Sequence, residues 1–381
     1  MKRVGMIFLV LSVLGTCCLP ASATELELGG KSALLMDIET GTVLYEKNAH
    51  EPLPPASVTK VMTLLLIMEA IDSGSVSWEE TVTASESAAA KGGSQIYLKV
   101  GETMSVSDMV KAIAVSSAND CACAMAEHLC GSDSAFVDKM NARAAELGMK
   151  DTHFVNCTGL DDAPDAAKHL TSAYDIALMS RQLMKYHPDI QKFTTIWMDT
   201  VRDGQFGLSN TNKLIRFYPG ATGLKTGFTS GAGYCLSATA QREGLGLIAV
   251  TMGCETTQIR TSACKAMLDY GFARFALYTP ELSEELRVPV AMGKEAEVRA
   301  VPGASDSLLV EKANRSAITT EVSLEESRPA PVAEGTQVGI MTVKSGDQIL
   351  ARIPLVAENG VERLTWADVM VILLKRLTMV K

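Results

Sequence analysis

The chain has 381 residues, of which 47% are hydrophobic and 21% are charged, so it holds enough apolar material for a large core. Its formal net charge of −9 excludes the basic footprint of a nucleic-acid-binding protein, and no nucleic-acid partner is expected. The nine cysteines and five histidines do not fall at metal-ligand spacings, so we expect neither a metal nor a cofactor. We interpret the seven cysteines after residue 24 as small buried apolar residues, with at least one outside any disulfide.

The first 23 residues have the three parts of a secretory signal peptide. Met1-Lys2-Arg3 is a charged start, Val4 to Leu19 is apolar, and Ala21-Ser22-Ala23 is a small-residue cleavage site, so we expect cleavage before Thr24. The protein is therefore predicted to be exported. A lipoprotein anchored through Cys17 is the alternative for this segment.

The first candidate site residue is Ser57, in the sequence Ser57-Val58-Thr59-Lys60. Pro54 and Pro55 cannot lie inside a helix, and the apolar residues after Ser57 recur at helical spacing up to Met68, so Ser57 is predicted in the first turn of a helix. Lys60 then lies one turn further on the same face, where its amine can reach the serine hydroxyl. A desolvated lysine can be neutral and act as the base that a serine nucleophile needs.

A second motif, Ser117-Ala118-Asn119, is predicted to connect two helices. The segments before and after it have helical composition, and so the Ser and Asn side chains should lie on a short link. A hydroxyl there can pass a proton to a leaving amine, and an amide can bind a peptide carbonyl. Alone, the motif is typical of an ordinary turn with capping residues.

The third motif, Lys225-Thr226-Gly227, is predicted at the start of a β-hairpin strand. Glycine-rich segments flank it, and Leu245 to Met252 forms the next apolar run after a turn. Such a strand edge can lie against an extended peptide, because the glycine permits close approach while Lys and Thr meet a carboxylate. An isolated motif of this kind is more often a basic residue in a hairpin turn.

The order of the three motifs supplies the specificity that each lacks alone. Together they resemble the active site of low-molecular-mass penicillin-binding proteins, which are serine-type D-alanyl-D-alanine carboxypeptidases. The resemblance covers roughly residues 25 to 381 and includes a family-like opening hairpin over Ser32 to Lys47, a stretch from His153 to Leu160, and His169. It implies a carboxypeptidase that removes the terminal D-alanine from peptidoglycan stem peptides and is inhibited covalently by β-lactam antibiotics.

The resemblance also implies roles for the catalytic residues. Ser57 would be acylated by the penultimate D-alanine carbonyl, and Lys60 would be the general base. Ser117 and Asn119 would complete the proton path and hold the substrate, with Lys225 assisting. Water would then hydrolyse the acyl-enzyme.

Four further residues are implied in substrate binding. Thr226 and Arg260 would bind the terminal carboxylate, and Gly227 would let the substrate approach the strand. The backbone N–H groups of Ser57 and Phe228 would form the oxyanion hole. Some relatives carry His where this chain has Phe228, a difference that concerns rate and substrate preference.

Three other functions share some of these motifs. A class A β-lactamase would carry an E-x-x-L-N motif between Asn119 and Lys225, and no such motif is present. A catalytically silent scaffold would lack one of the motif residues, and all are present. A D,D-endopeptidase acting on peptidoglycan cross-links uses the same residues and stays open.

The predicted fold is α+β. Residues 24–280 should form the catalytic domain, with an antiparallel sheet and a helical subdomain. Residues 281–360 contain short β-like runs separated by turn residues, which predict a small all-β domain. Residues 361–381 predict an amphipathic helix: Trp366, Met370, Leu373, Leu377 and Val380 recur at helical spacing with Lys375 and Arg376 opposite, so we expect it at a membrane surface.

Overall fold

The computed structural model describes residue 26 and residues 28–161, 165–282, 284–303 and 307–378. The predicted signal peptide lies outside these residues. The strands are β1 (Ser32–Asp37), β2 (Val43–Lys47), β3 (Thr81–Thr83), β4 (Thr103–Ser105), β5 (Met198–Val201), β6 (Phe206–Ser209), β7 (Ala221–Thr229), β8 (Gly233–Arg242), β9 (Leu245–Cys254), β10 (Phe275–Tyr278), β11 (Leu286–Ala291), β12 (Glu297–Pro302), β13 (Leu308–Glu311), β14 (Ile318–Leu324), β15 (Arg328–Pro329), β16 (Gln337–Ser345) and β17 (Gln348–Ala357). The α-helices are α1 (Lys60–Asp72), α2 (Glu86–Ala89), α3 (Val106–Ser116), α4 (Asn119–Cys130), α5 (Asp133–Glu146), α6 (Ala173–Tyr186), α7 (Gln191–Thr194), α8 (Leu214–Phe217), α9 (Thr257–Arg274) and α10 (Trp366–Thr378).

A five-stranded antiparallel sheet in the order β2-β1-β9-β8-β7 forms the base of the first domain. Successive residues of a strand point to opposite sides of the sheet, and in the middle strands the residues on both sides are buried. In β1, Leu34 and Met36 join the core shared with α1 and α6, while Ala33 and Leu35 join the core shared with α9. Helices on both faces thus explain why β1 and β9 are almost continuously apolar.

Helix α1 lies inside the helical subdomain. Residues from Lys60 to Met68 are all buried, so the helix has no polar face. Because α1 is buried in this way, its first residues are held against the sheet, and the predicted nucleophile Ser57 lies next to them. The predicted opening hairpin and the helices around Ser117 are confirmed as β1–β2 and α3–α4.

A six-stranded sheet in the order β14-β16-β17-β12-β11-β15 forms the all-β part of the chain. Its apolar core is built from alternating residues, as in β11, where Leu286, Val288 and Val290 are buried and the residues between them are exposed. The runs with β-like sequence are Glu295 to Val301, Ser307 to Val310, Ala317 to Leu324, Gln337 to Lys344 and Gln348 to Val356, and they match β12, β13, β14, β16 and β17, whereas β11 and the two-residue β15 are not indicated by the sequence. Before this part of the chain, Lys265 to Leu277 has the sequence of a helix, but α9 begins at Thr257 and ends at Arg274, and β10 follows it.

Helix α10 follows this sheet and lies within residues 361–381, where the sequence predicts a helix. The side chains of residues 375 and 376, and residue 380 as a whole, lie outside the description. None of the helices that the structure describes is long and apolar enough to cross a membrane.

Candidate active site

Ser57 lies in a single 3-10 turn, Ala56–Thr59, that runs directly into α1. The helix proper begins three residues later than predicted, at Lys60. Ala56 has a positive φ of 48°, which costs energy for a residue with a Cβ atom. The hydroxyl of Thr59 donates to the Ala56 carbonyl at 2.8 Å and so holds this turn together.

Lys60 is fully buried below Ser57. Its Nζ lies 2.9 Å from Ser57 Oγ and 2.8 Å from the carbonyl oxygen of Thr158. Burial lowers the pKa of Lys60 to about 7, because the charged form loses its hydration. A substantial fraction of the amine is therefore neutral near pH 7 and able to accept a proton from the serine.

The second motif closes one side of the site. Ser117 caps α3 with a left-handed φ of 64°, and its buried Oγ has no hydrogen-bond partner within the described chain. Asn119 begins α4 and donates from Nδ2 to the Gly92 carbonyl at 2.7 Å. Its Oδ1 is buried and without a partner among the described residues, so this amide is fixed in place while its acceptor remains available.

The third motif lies in the middle of β7, at the edge of the sheet. Lys225 is buried, and its Nζ donates to the Thr226 carbonyl at 2.9 Å. Burial, followed by the positive charges of Lys60 and Arg260, holds the pKa of Lys225 well below its usual range. The hydroxyls of Thr226 and Thr211 lie 2.6 Å apart.

Gly227 brings β7 directly over the serine turn. A Cβ atom on this residue would lie 2.6 Å from the Pro55 carbonyl oxygen and 3.1 Å from the Ser57 nitrogen, so no side chain fits. The next residue, Phe228, is about half exposed and stacks on Tyr234 with ring centroids 4.3 Å apart.

Arg260 approaches the same strand from α9. Its Nη1 lies 3.4 Å from the carbonyl oxygens of Gly227 and Cys235, and its guanidinium is 5.6 Å from the centre of the Tyr234 ring. Burial lowers its pKa. Of the nine predicted residues, Ser57 lies on the serine turn, Lys60 begins α1, Ser117 caps α3 and Asn119 begins α4. The other five lie on β7 or, in the case of Arg260, against it.

Several residues around the nucleophile were not assigned a role from the sequence. Gly159, with φ of 82°, touches the serine turn so closely that a Cβ atom would lie 1.9 Å from the Ala56 carbonyl oxygen. His169 lies 2.7 Å from the Thr59 hydroxyl through Nε2, and its Nδ1 accepts from the Val155 N–H at 3.1 Å. That acceptor fixes the neutral tautomer in which Nε2 carries the hydrogen.

The arrangement has the parts that acyl transfer requires. A serine hydroxyl contacts a buried amine, and an edge strand able to pair with a peptide lies directly over the serine turn. The Ser117 hydroxyl and the Asn119 amide oxygen are buried and have no hydrogen-bond partner among the described residues. A family model described as D-alanyl-D-alanine carboxypeptidase matches residues 20–256. The chain belongs to this family. A second model, the C-terminal domain of penicillin-binding protein 5, matches residues 283–363.

Similar proteins agree with this assignment. The D-alanyl-D-alanine carboxypeptidase DacF of Bacillus subtilis is 40% identical over 346 residues, which are 89% of this chain and 88% of that protein. The structure of penicillin binding protein 5 from Haemophilus influenzae is 28% identical, covers 89% of this chain and 99% of its own, and has a TM-score of 0.76. Penicillin-binding protein D2 from Listeria monocytogenes, solved in its ampicillin-bound form, is 34% identical with a TM-score of 0.59, over 65% of this chain and 99% of its own.

The predictions of a low-molecular-mass penicillin-binding protein, of the α+β fold followed by an all-β domain, and of a serine-type carboxypeptidase are therefore confirmed. The carboxypeptidase is favoured over the alternatives considered from the sequence.

Proposed function

We propose that Ser57 is the residue acylated in the reaction and that the substrate is the D-Ala-D-Ala end of a peptidoglycan stem peptide. The observation that carries the proposal is the contact of 2.9 Å between Ser57 Oγ and the buried Lys60 amine, whose pKa burial lowers to about 7. A base whose pKa lies near the pH of the reaction is deprotonated in a substantial fraction of molecules and still binds a proton well.

The reaction starts when Ser57 Oγ attacks the carbonyl carbon of the penultimate D-alanine and its proton passes to Lys60. The negative charge on the carbonyl oxygen is stabilised by the backbone N–H groups of Ser57 and Phe228. Collapse of this intermediate breaks the peptide bond. The leaving amine takes a proton through Ser117, and Lys225 supports that transfer. Water then attacks the ester and releases the shortened peptide.

Substrate binding uses the edge of β7. Thr226, supported by Thr211, and Arg260 bind the terminal carboxylate, while Asn119 Oδ1 accepts an N–H of the substrate. β-Lactam antibiotics would acylate the same serine and block it. The ampicillin-bound form of the Listeria protein supports this expectation by similarity.

A labelling experiment tests the nucleophile. The wild-type protein should react with a fluorescent penicillin and carry the label on a peptide containing Ser57, and it should release D-alanine from diacetyl-L-Lys-D-Ala-D-Ala. The Ser57→Ala protein should do neither. Ser73→Ala, an exposed serine at the far end of α1, is the matched control and should behave as wild type. Undiminished labelling of Ser57→Ala would refute the assignment.

We further propose where the enzyme works. Residues 1–23 would direct export and be removed, residues 24–280 and 281–360 would form the catalytic and all-β domains, and residues 361–381 would lie on the outer face of the cytoplasmic membrane. Helix α10 supports the last point, because Trp366 is 91% and Leu377 80% exposed, and burial of such residues in a membrane surface is favourable.

A truncation tests the anchor. A chain that stops at Asn359 should still react with penicillin but leave the membrane fraction, whereas the full-length protein should sediment with membranes. Sedimentation of the truncated chain would contradict the role of the helix, and the lipoprotein alternative at Cys17 would then be examined by substituting that cysteine.

A further inference from the structure

The loop from Thr158 to Asp161 lies close to Gly93 on one side and to the turn after β7 on the other. The Leu160 side chain lies 3.2 Å from the position a Cβ atom would take on Gly93, and Asn119 Nδ2 lies 2.8 Å from that same position. One residue later, Asp161 Oδ2 lies 3.9 Å from the position of a Cβ atom on Gly231, in the turn after β7. The loop therefore reaches from the Asn119 side of the cleft to the β7–β8 turn.

This loop is held firmly up to Leu160. The Asn156 side chain accepts the N–H groups of Thr158 and Gly159 at 3.1 and 2.7 Å and donates to the Leu160 carbonyl at 2.9 Å. The Thr158 carbonyl in turn binds Lys60 at 2.8 Å. Asp161 thus follows a segment that is tied to the catalytic lysine itself.

The direction of the substrate follows from the proposed function. If the terminal carboxylate binds at Thr226 and the scissile carbonyl at Ser57 and Phe228, the peptide runs antiparallel to β7, with its upstream residues towards Thr229. An extended peptide advances about 3.3 Å per residue. The residue before the two D-alanines then lies beside the end of β7 and the Gly231 turn, opposite Asp161.

Asp161 is the charged residue of the described loop Thr158 to Asp161. Its side chain is exposed and makes no ion pair with the residues that the structure describes. The facing residues, Thr229, Ser230 and Gly231, carry no charge. Lys91, close to Gly93 in the sequence, is already paired with Asp133 at 3.3 Å. Within the part of the chain that the structure describes, a substrate side chain passing this point meets the carboxylate of Asp161, which has no ion-pair partner there.

We propose that Asp161 selects stem peptides whose third residue is a diamino acid with a free side-chain ammonium group. The proposal rests on the function proposed above, which supplies the direction of the peptide. Because the ion pair would be exposed to water, we expect a gain of about two- to fivefold in kcat/KM rather than an absolute requirement.

The test compares two tripeptides that differ only in that charge, Nα-acetyl-L-Lys-D-Ala-D-Ala and Nα,Nε-diacetyl-L-Lys-D-Ala-D-Ala. The wild-type enzyme should release D-alanine from the free-amine peptide about two to five times more efficiently, and added salt should reduce the difference. Asp161→Asn should lose the preference while hydrolysing the diacetyl peptide normally. Asp161→Lys should reverse it.

Asp165→Asn is the control, because Asp165 is another exposed aspartate on the same connection and its loss changes the net charge equally. It should keep the wild-type preference. Equal hydrolysis of the two peptides by the wild type, or an unchanged preference in Asp161→Asn, would overturn the inference while leaving the carboxypeptidase intact. If the wild type hydrolysed neither peptide, the proposed function would fail and the inference with it.

Discussion

The active site and the C-terminal sheet use positive charge in opposite ways. Lys60, Lys225 and Arg260 are buried, and within the described residues none of them forms an ion pair with a carboxylate. In the six-stranded sheet, Arg299 bonds to Glu358 at 2.8 Å and Lys344 to Glu321 at 2.6 Å, both in contact with water. The same residue types are therefore buried without an acidic partner in one region, where we propose that they act in catalysis, and form exposed ion pairs in the other.

The comparison of these two regions shows how burial changes the pKa of a cation. Removing a cation from water without a partner disfavours its charged form, so burial lowers the pKa values of all three active-site cations. That arrangement stabilises the fold little or not at all, and under the proposed function it prepares Lys60 to act as a base. An exposed ion pair keeps its charge and contributes only modestly to stability.

The largest expected effect comes from Lys60. Lys60→Met should lower the rate of acylation by penicillin by roughly a thousandfold or more, because no base remains. The thermal midpoint should change little, because removal of a buried amine is favourable but leaves the Thr158 carbonyl without its hydrogen-bond donor. Lys60→Arg should also fail, because arginine stays charged. In the wild type, acylation should decrease about tenfold for each pH unit below about 7, as the amine becomes protonated.

Lys344→Met is the matched control for this comparison and should acylate at the wild-type rate. Fast acylation by Lys60→Met, or a wild-type rate that rises only near pH 10, would show that Lys60 is not the base.

A smaller effect is expected at Arg260. If its guanidinium binds the terminal carboxylate, Arg260→Ala should lose roughly 2 to 5 kcal/mol of transition-state binding for acyl-D-Ala-D-Ala, but much less for the amidated analogue. The ratio of kcat/KM for the two substrates measures this. Equal losses on both would mean that Arg260 only supports β7 through its contacts with Gly227 and Cys235.

Stability at acid pH tests the histidine behind the serine turn. Burial lowers the pKa of His169 to about 4, whereas an unfolded histidine titrates near 6.5, so between these values the unfolded state binds more protons. The free energy of unfolding should therefore fall as pH falls from 6.5 to 4, by about 3 kcal/mol from this group. Denaturant titrations across this range measure it.

His169→Gln should remove that part of the pH dependence, while His50→Gln, at an exposed histidine, should leave it. An unchanged slope in His169→Gln would show that other groups cause the acid sensitivity.

The smallest effect is expected in the C-terminal sheet. Arg299→Gln breaks exposed ion pairs with Glu285 and Glu358, so it should change the free energy of unfolding by less than about 1 kcal/mol, less still at high salt. Penicillin acylation should be unchanged. A loss above 2 kcal/mol would show that these exposed ion pairs contribute more to the stability of the sheet than exposed pairs usually do.

The parts of the site that could be predicted are formed by residues that lie close together in the sequence. Ser57 and Lys60 are three residues apart on one helical path, and Ser117 and Asn119 share one link, so their local geometry follows from spacing. The Thr158 carbonyl and His169 reach the serine turn from about a hundred residues away, and no spacing indicates such contacts. The strained Ala56 is likewise visible only in the folded chain.

In the fold, too, the features that could not be predicted depend on residues distant in the sequence. Long periodic segments and turn residues predicted most strands and helices, but β11 contains Pro289, which argues against a strand because it cannot donate to a neighbour. The structure tolerates it because β11 is covered on one side only by the two residues of β15. Whether a segment that contains proline can form a strand therefore depends on the strands beside it as well as on its own sequence.

The cysteines give this protein an internal reporter of motion. All seven that the structure describes hold free thiols, six of them buried, and burial raises the pKa of Cys121 and Cys264. A buried, protonated thiol reacts with an alkylating reagent only after the surrounding structure opens. Because no cysteine follows Cys264, the alkylation rate reports opening of the catalytic domain and is silent about the six-stranded sheet. The natural sequence therefore allows the unfolding of one domain to be followed without labelling the other.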